Sequence, residues 1–345
     1  MGESKGTVQS RVWRDGQLIE KDFPFEQISD YLEQEGCLVW VDVCDADSPR
    51  LTELAGELSL DPNAVEDAVA QRERTKAIRY DTHVFLTVYG VRAAGRLPAG
   101  ADGADTVDPA VGEPGLVFAR VSAFVMPRGV VTVRASDFDV APVVQRWEDN
   151  ADLLKFGVGG LVHGLLDVVV DGHFEAVQLL DDAMEELEDD LFDDRARTTV
   201  VQRQTYQLRK DLVSLRRVVL PMREVVNAVL RHRQDLHHSA ELDSWFDDLY
   251  DHVLRAAEWT ESLRDMVTTI FETNLSLQDA RLNTVMKKLT GWAAIIAVPT
   301  AVTGYFGQNV PYPGFEQKWG FWLSIVMIVG VAGALYAAFR RRNWL

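Results

Sequence analysis

The side chains with chemistry to do lie in one short turn, one helical stripe and several acidic groups. The turn is Gly304-Tyr305-Phe306-Gly307-Gln308-Asn309, where glycines are followed by two amide side chains. Repeated around a symmetric assembly, it would make a ring of neutral oxygen dipoles. Such a ring suits hydrated Mg²⁺, which dehydrates reluctantly and is best held through its water shell. As an ordinary loop the same residues need no explanation. Just before it, a stripe at spacings of three and four runs Asn283, Met286, Leu289, Ala293, Ala297, Thr300, Gly304, opposite Ile295, Ile296, Val298 and Val302. Small residues along one stripe serve either close helix packing or a pore lining, with Asn283 offering an amide oxygen at one mouth. The spacing alone does not choose between them.

The acidic groups are equally open. Asp167 and Asp171 lie four apart in GLLDVVVDGHF; on a helix they repel, and a bound cation or a basic partner residue would relieve the cost. Glu66 and Asp67 follow a helix start at Asp61 and Pro62 and point away from Ala64, Val65, Ala68 and Val69. Asp247, Asp248 and Asp251 form a third group, and Glu185 to Asp194 (EELEDDLFDD) a fourth. A solvated face accounts for each of these last three. His232, His237 and His238 flank Arg233 in a polar stretch that reads as a helix turn rather than a zinc site. There is no phosphate-cradling glycine loop with its lysine, no cysteine pairs at zinc spacing and no nucleophile elbow, so the sequence carries no enzyme signature.

The elements that must position these groups fall into two regimes. Runs at Val8 to Trp13, Leu38 to Val43, Val84 to Val91, Leu116 to Val125 and Val130 to Arg134 read as strands, separated by short helices. The segment AAGRLPAGADGADTVDPAVGEPG reads as a long exposed hairpin loop. From about Gly160 the pattern changes. His173 to Leu220 and Met222 to Thr290 read as long helices with charged faces, and a helix from Leu242 to Thr290 would be about 70 Å long. Two charge-free segments follow, Leu289 to Phe306 with 18 residues and Trp319 to Phe339 with 21, each long enough to cross a bilayer. Trp292, Trp319 and Trp322 sit near their ends as interfacial aromatics do. Lys287 and Lys288 precede the first segment and Arg340, Arg341 and Arg342 follow the second, which predicts both termini in the cytoplasm.

A formal net charge of -18 over 345 residues argues against nucleic acid as a partner and favours cations. Cys37 and Cys44, on opposite faces of one strand, predict no disulfide framework and an intracellular location for the part before the membrane. The N-terminal residues have no secretory-signal pattern.

In the blocks VEDAVAQRERTK, LLDVVVDGHFEAVQLLDDAMEELEDDLF, LRKDLVSLRRVVLPMREVVNAVL, LYDHVLRAAEWTESLRDMVTTIFETNLSLQDARLNTVMKKLT and the terminal RRRNWL, the sequence resembles the CorA family of divalent-cation channels over about four fifths of its length. The resemblance implies a homopentamer. An α+β cytoplasmic domain with a helical hairpin (residues 1–240) would lead into a funnel of long helices (241–306) whose last part, about 289–306, lines the pore. An outer loop (307–318), a second membrane helix (319–339) and a basic cytoplasmic tail (340–345) complete it. The family's outer Gly-Met-Asn falls on Gly307, Gln308 and Asn309, and its inner pore asparagine on Asn283. Its regulatory Mg²⁺ site, shared between subunits, falls on Asp67 and Asp248, with Glu66 beside it, and a second acidic site near Asp167 and Asp171. The implied activity is passive uptake of Mg²⁺, with Co²⁺ or Ni²⁺, in the inner membrane, with no organic cofactor. Gln308 departs from the magnesium branch, and a zinc-transporting branch also differs at this position. A zinc transporter on the same fold is the alternative of the same class, and a membrane-tethered sensor or scaffold the alternative of another.

Overall fold

In a computed structural model of the chain, the described residues are 8–44, 48–70, 73–94, 115–192, 198–232, 239–308 and 310–344. The elements follow in the order β1 (Val8–Arg14), β2 (Gln17–Lys21), α1 (Ile28–Glu33), β3 (Cys37–Cys44), α2 (Ser48–Glu57), α3 (Pro62–Val69), β4 (Lys76–Arg79), β5 (Val84–Ala93), β6 (Leu116–Met126), β7 (Gly129–Arg134), α4 (Ala141–Asp149), α5 (Val158–Phe192), α6 (Thr198–Val219), α7 (Met222–Arg231), α8 (Asp243–Phe306) and α9 (Lys318–Arg341). The chain forms two compact units, Met1–Thr268 and Thr269–Leu345.

The first unit is built on a seven-stranded sheet of order β2-β1-β3-β7-β6-β5-β4. Among the described strands, only the β3–β7 pair is parallel. Every residue of central β3 is buried, as an apolar run covered on both faces must be. Alternate residues feed two cores. Leu38 and Trp40 join Phe246, Leu249 and Val253 of α8 and the apolar faces of α4, α5 and α7. Cys37, Val39, Val41 and Val43 join Ile28, Leu51, Leu54, Ala64 and Ala68 from α1, α2 and α3. Helices therefore cover both faces. Cys37 and Cys44 are both buried thiols.

The five expected strands form, and two more appear. β2 is exposed throughout and β4 has four residues; both are sheet edges, where no alternating apolar pattern is needed. β5 and β6 pair antiparallel, and most of the loop between them, residues 95–114, lies outside the described residues. The expected helix from His173 begins earlier, at Val158. Its glycines allow close packing rather than breaking it: a Cβ on Gly164 would stand 2.5 Å from the Trp147 indole nitrogen, and one on Gly172 2.9 Å from the Val91 carbonyl oxygen. The stretch to Leu220 is two helices, α5 and α6, with residues 193–197 between them undescribed. Val69, expected on the inner face of α3, is 43% exposed. It is the helix's last residue and falls off the stripe set by Ala64 and Ala68.

One buried charge fixes the centre of the sheet. Asp42 on β3 is fully enclosed, with Arg134 Nε on neighbouring β7 2.9 Å from its Oδ2 and the Thr132 hydroxyl donating to its Oδ1 at 2.6 Å. Burial raises its pKa, and Arg134 and Thr132 only partly offset that. Arg134→Met should therefore destabilise the protein by about 3–5 kcal/mol, by leaving a buried carboxylate without its counter-charge. Thermal unfolding of the full-length protein checks this, and adding Asp42→Asn should recover part of the loss.

Candidate metal centre and pore

The stripe that could line a pore is open along its length. Asn283, Met286, Leu289, Ala293, Ala297, Thr300 and Gly304 are all exposed on α8, whereas Ile295, Val298 and Val302 are partly covered. Ile296, expected with the covered set, is exposed. Pro299 lies inside the helix; it has no N–H to offer the Ile295 carbonyl one turn back, a loss that membrane helices tolerate. Two helices, the one ending at Phe306 and Lys318–Arg341, are long and apolar enough to cross a membrane.

Past the end of α8 the chain turns tightly. The Gly307 N–H donates to the Thr303 carbonyl at 2.8 Å, and the Gln308 N–H to the Tyr305 carbonyl at 3.4 Å. The Tyr312 hydroxyl reaches back to the Phe306 carbonyl at 2.7 Å, and the rings of Tyr305, Phe306 and Phe315 pack around Tyr312. Gly307 and Gln308 are exposed at this turn; Asn309 lies outside the described residues. No signal for the aromatic clamp was drawn from the sequence, although four aromatics within eleven residues were there to find.

Asp67, near the end of α3, faces Lys76 at the start of β4. The Lys76 ammonium lies 2.6 Å from Asp67 Oδ2 and 3.1 Å from Glu73 Oε1. Burial alone would lower the Lys76 pKa, but the two carboxylates outweigh it and hold the ammonium above its usual range. Burial would likewise raise the Glu73 carboxyl, yet hydrogen bonds from the Arg74 amide and Lys76 keep it low. Glu66 is exposed. Asp248 on α8 is 69% exposed, with His252 Nδ1 3.5 Å away, and Asp247 and Asp251 are exposed beside it. Asp67 and Asp248 are not brought together within one chain: their helices pack against opposite faces of the sheet.

Asp167 and Asp171 are brought together, by Arg146 of α4. One guanidinium nitrogen contacts Asp167 Oδ2 and the other lies 2.6 Å from Asp171 Oδ2. A basic partner, Arg146, thus meets both carboxylates within the chain. Burial pushes the Asp167 carboxyl up, and the opposing pull of Arg146 and His163 does not cancel it. His163, one turn earlier, is held below its usual range by burial and packs edge-on to Phe246. His173 is enclosed, with Nε2 2.9 Å from the Tyr89 carbonyl oxygen, and burial pulls it to about 4. His232 ends α7; His237 and His238 lie outside the described residues. Among the described residues, no three His, Cys, Asp or Glu are grouped to hold a metal.

Residues 35–341 match the profile of the CorA-like Mg²⁺ transporter protein family. The chain belongs to that family. It is 27% identical to the cobalt/magnesium transport protein CorA of Thermotoga maritima over 310 residues, covering 89% of this chain and 83% of that one. It is 25% identical to the putative metal ion transporter YfjQ of Bacillus subtilis, covering 94% of each. Its fold matches the complete structure of the CorA magnesium transporter from Methanocaldococcus jannaschii with a TM-score of 0.71, 21% identity and 98% of each chain covered. As in that CorA fold, an α/β domain and long helices precede two C-terminal apolar helices.

Within this CorA-like chain, the basic partners Lys76 and Arg146 are what sequence reasoning missed. They stand nine residues from Asp67 and 21 from Asp167, and only the folded sheet and the α4–α5 packing juxtapose them. Arg146→Gln should cost roughly 1–3 kcal/mol, because Asp167 loses its counter-charge while staying largely covered. Asp167's folded-state pKa lies above its unfolded value, so the folded state binds this proton more readily and stability falls as pH rises through that interval. Without Arg146 the interval extends upward. The loss should therefore be larger near pH 7.5 than near pH 5, measured as the difference in unfolding midpoint between variant and parent at each pH.

Proposed function

We propose that this chain is one subunit of a homopentameric channel that carries Mg²⁺, and with it Co²⁺ or Ni²⁺, into the cell through the inner membrane. The observation that carries this reading is the match of nearly the whole chain to a transporter family, ending in two helices long and apolar enough to span a bilayer. Five copies of α8 would surround the pore, with Asn283, Ala297, Thr300 and Gly304 on the inner side, and Asn309, with Gly307 and Gln308, would form the outer ring. Lys287, Lys288 and Arg340 to Arg342 would hold both termini in the cytoplasm. No chemical energy source is needed: at 100 mV, inward movement of a divalent ion releases about 4.6 kcal/mol.

Cytoplasmic Mg²⁺ would close the channel by bridging Asp67 of one subunit and Asp248 of its neighbour, with Glu66 at the margin. Their placement on opposite faces of one sheet supports sharing between copies, since one chain cannot offer both to one ion. With the ion absent, repulsion among five such pairs loosens the ring and favours the open state. Asp167 and Asp171 would receive a cation only by displacing Arg146.

The outer ring is the part most directly tested. Asn309→Ala removes five oxygen acceptors for the water shell of the entering ion, so Mg²⁺ flux should fall at least tenfold while the oligomer survives detergent extraction. Asn309→Asp should bind divalent ions more tightly and pass them more slowly. Parental flux through an intact Asn309→Ala oligomer would remove this residue from the entry filter.

A further inference from the structure

Lys76 occupies the place at Asp67 that a cation would need. Its ammonium touches both Asp67 and Glu73, and the three side chains are mostly covered, 13%, 25% and 18% exposed respectively. The backbone carrying the two carboxylates is fastened down. Arg120 on β6 donates to the Asp67 carbonyl at 3.3 Å, to the Ala68 carbonyl at 2.8 Å, and to that of Ala70, closing the end of α3 where free carbonyls favour a positive charge. The Tyr89 hydroxyl of β5 donates to the Glu73 carbonyl. Lys76 itself is paired in the sheet with Thr87. The carboxylates thus have fixed positions, and the adjustable member is the flexible four-carbon stem of the lysine.

We propose that Lys76 is a tethered competitor for the divalent cation at Asp67, and that Glu73 is the partner onto which its ammonium withdraws when the cation binds. This rests on the reading of Asp67 as part of the regulatory site. An oxygen accepting from an ammonium at 2.6 Å cannot also ligate a divalent ion at about 2.0–2.6 Å, because the two positive charges would stand a few ångströms apart in a partly buried site. Binding is therefore an exchange, and the apparent affinity is the intrinsic one reduced by the fraction of time that Lys76 holds Asp67. Glu73, already 3.1 Å from the same nitrogen, lets the ammonium leave Asp67 and still keep a counter-charge. Two residues that need not touch the ion thereby set the concentration at which it acts.

The test is the Mg²⁺ concentration that half-saturates the thermal stabilisation of the full-length protein in detergent, at constant ionic strength. Lys76→Met keeps an unbranched side chain of similar length and removes the charge, which lies 6.0 Å from the Phe85 ring centroid in the parent. It should lower the half-saturating concentration about tenfold, equivalent to ~1.4 kcal/mol. Glu73→Gln removes the withdrawal partner and should raise it. Lys76→Arg, which keeps the charge and covers the case in which Lys76→Met does not fold, should also raise it, because a guanidinium fork holds two carboxylates more firmly. A merely structural ion pair would lower the melting temperature in Lys76→Met and Glu73→Gln alike and leave the Mg²⁺ midpoint in place; that outcome, or shifts of both in one direction, overturns the proposal. Asp67→Asn separates the two levels. If it responds to Mg²⁺ like the parent, the regulatory reading of Asp67 fails and the exchange with it. If it loses the response while Lys76→Met and Glu73→Gln leave the midpoint unmoved, the exchange alone fails.

Discussion

A carboxylate removed from water is costly without a positive partner, and among the described residues of the α/β unit three basic side chains from three different elements serve covered carboxylates. Asp42 has Arg134 on the adjacent strand, Asp167 and Asp171 have Arg146 on a packed helix, and Asp67 has Lys76 on the edge strand. The three pairs are graded by enclosure and by the chemistry of the base. Asp42 is sealed between strands and held by a planar guanidinium, so its pair is part of the sheet. Arg146 bridges two carboxylates a helical turn apart and fastens α4 to α5. Lys76 is a point charge on a flexible stem with a second acceptor within reach, which makes its pair the one suited to exchange.

In a chain carrying 53 acidic and 35 basic residues, most carboxylates face solvent and need no partner. The few that are covered constrain the structure. Asp248 on α8 is 69% exposed, with His252 Nδ1 3.5 Å away. Asp67 and Asp248 differ in their surroundings: one is partly covered and paired with Lys76, the other exposed. α8 carries Asp248 near its start and the stripe from Asn283 to Gly304 near its end.

Much of this was legible in the sequence, and the remainder was hidden for physical reasons. The central strands announced themselves through β-branched and aromatic runs, and the membrane segments through the absence of charge. The cap of α3 was visible as Asp61-Pro62, and the Asp61 side chain does accept from the Asn63 N–H at 2.8 Å. The edge strands β2 and β4 were missed because an edge needs only backbone pairing. The start of α5 was misjudged because Gly160, Gly164 and Gly172 weaken a helix locally, while the tertiary packing of Leu153, Trp147 and Val91 demands their missing side chains. Acidic groups could be found from sequence, but not their partners: pairing of Asp67 with Lys76, or Asp167 with Arg146, exists only after the sheet and its covering helices have formed.

The central claim is passive conduction of a divalent cation by this chain alone, and Gln308 makes the identity of the ion the decisive observable. Purified protein in liposomes, with no other component, should admit Mg²⁺ when an inside-negative potential is imposed, should admit more as the potential grows, and should not need a proton gradient. Absence of Mg²⁺ entry from intact oligomers, or entry of Zn²⁺ in its place that depends on a proton gradient, would contradict the account.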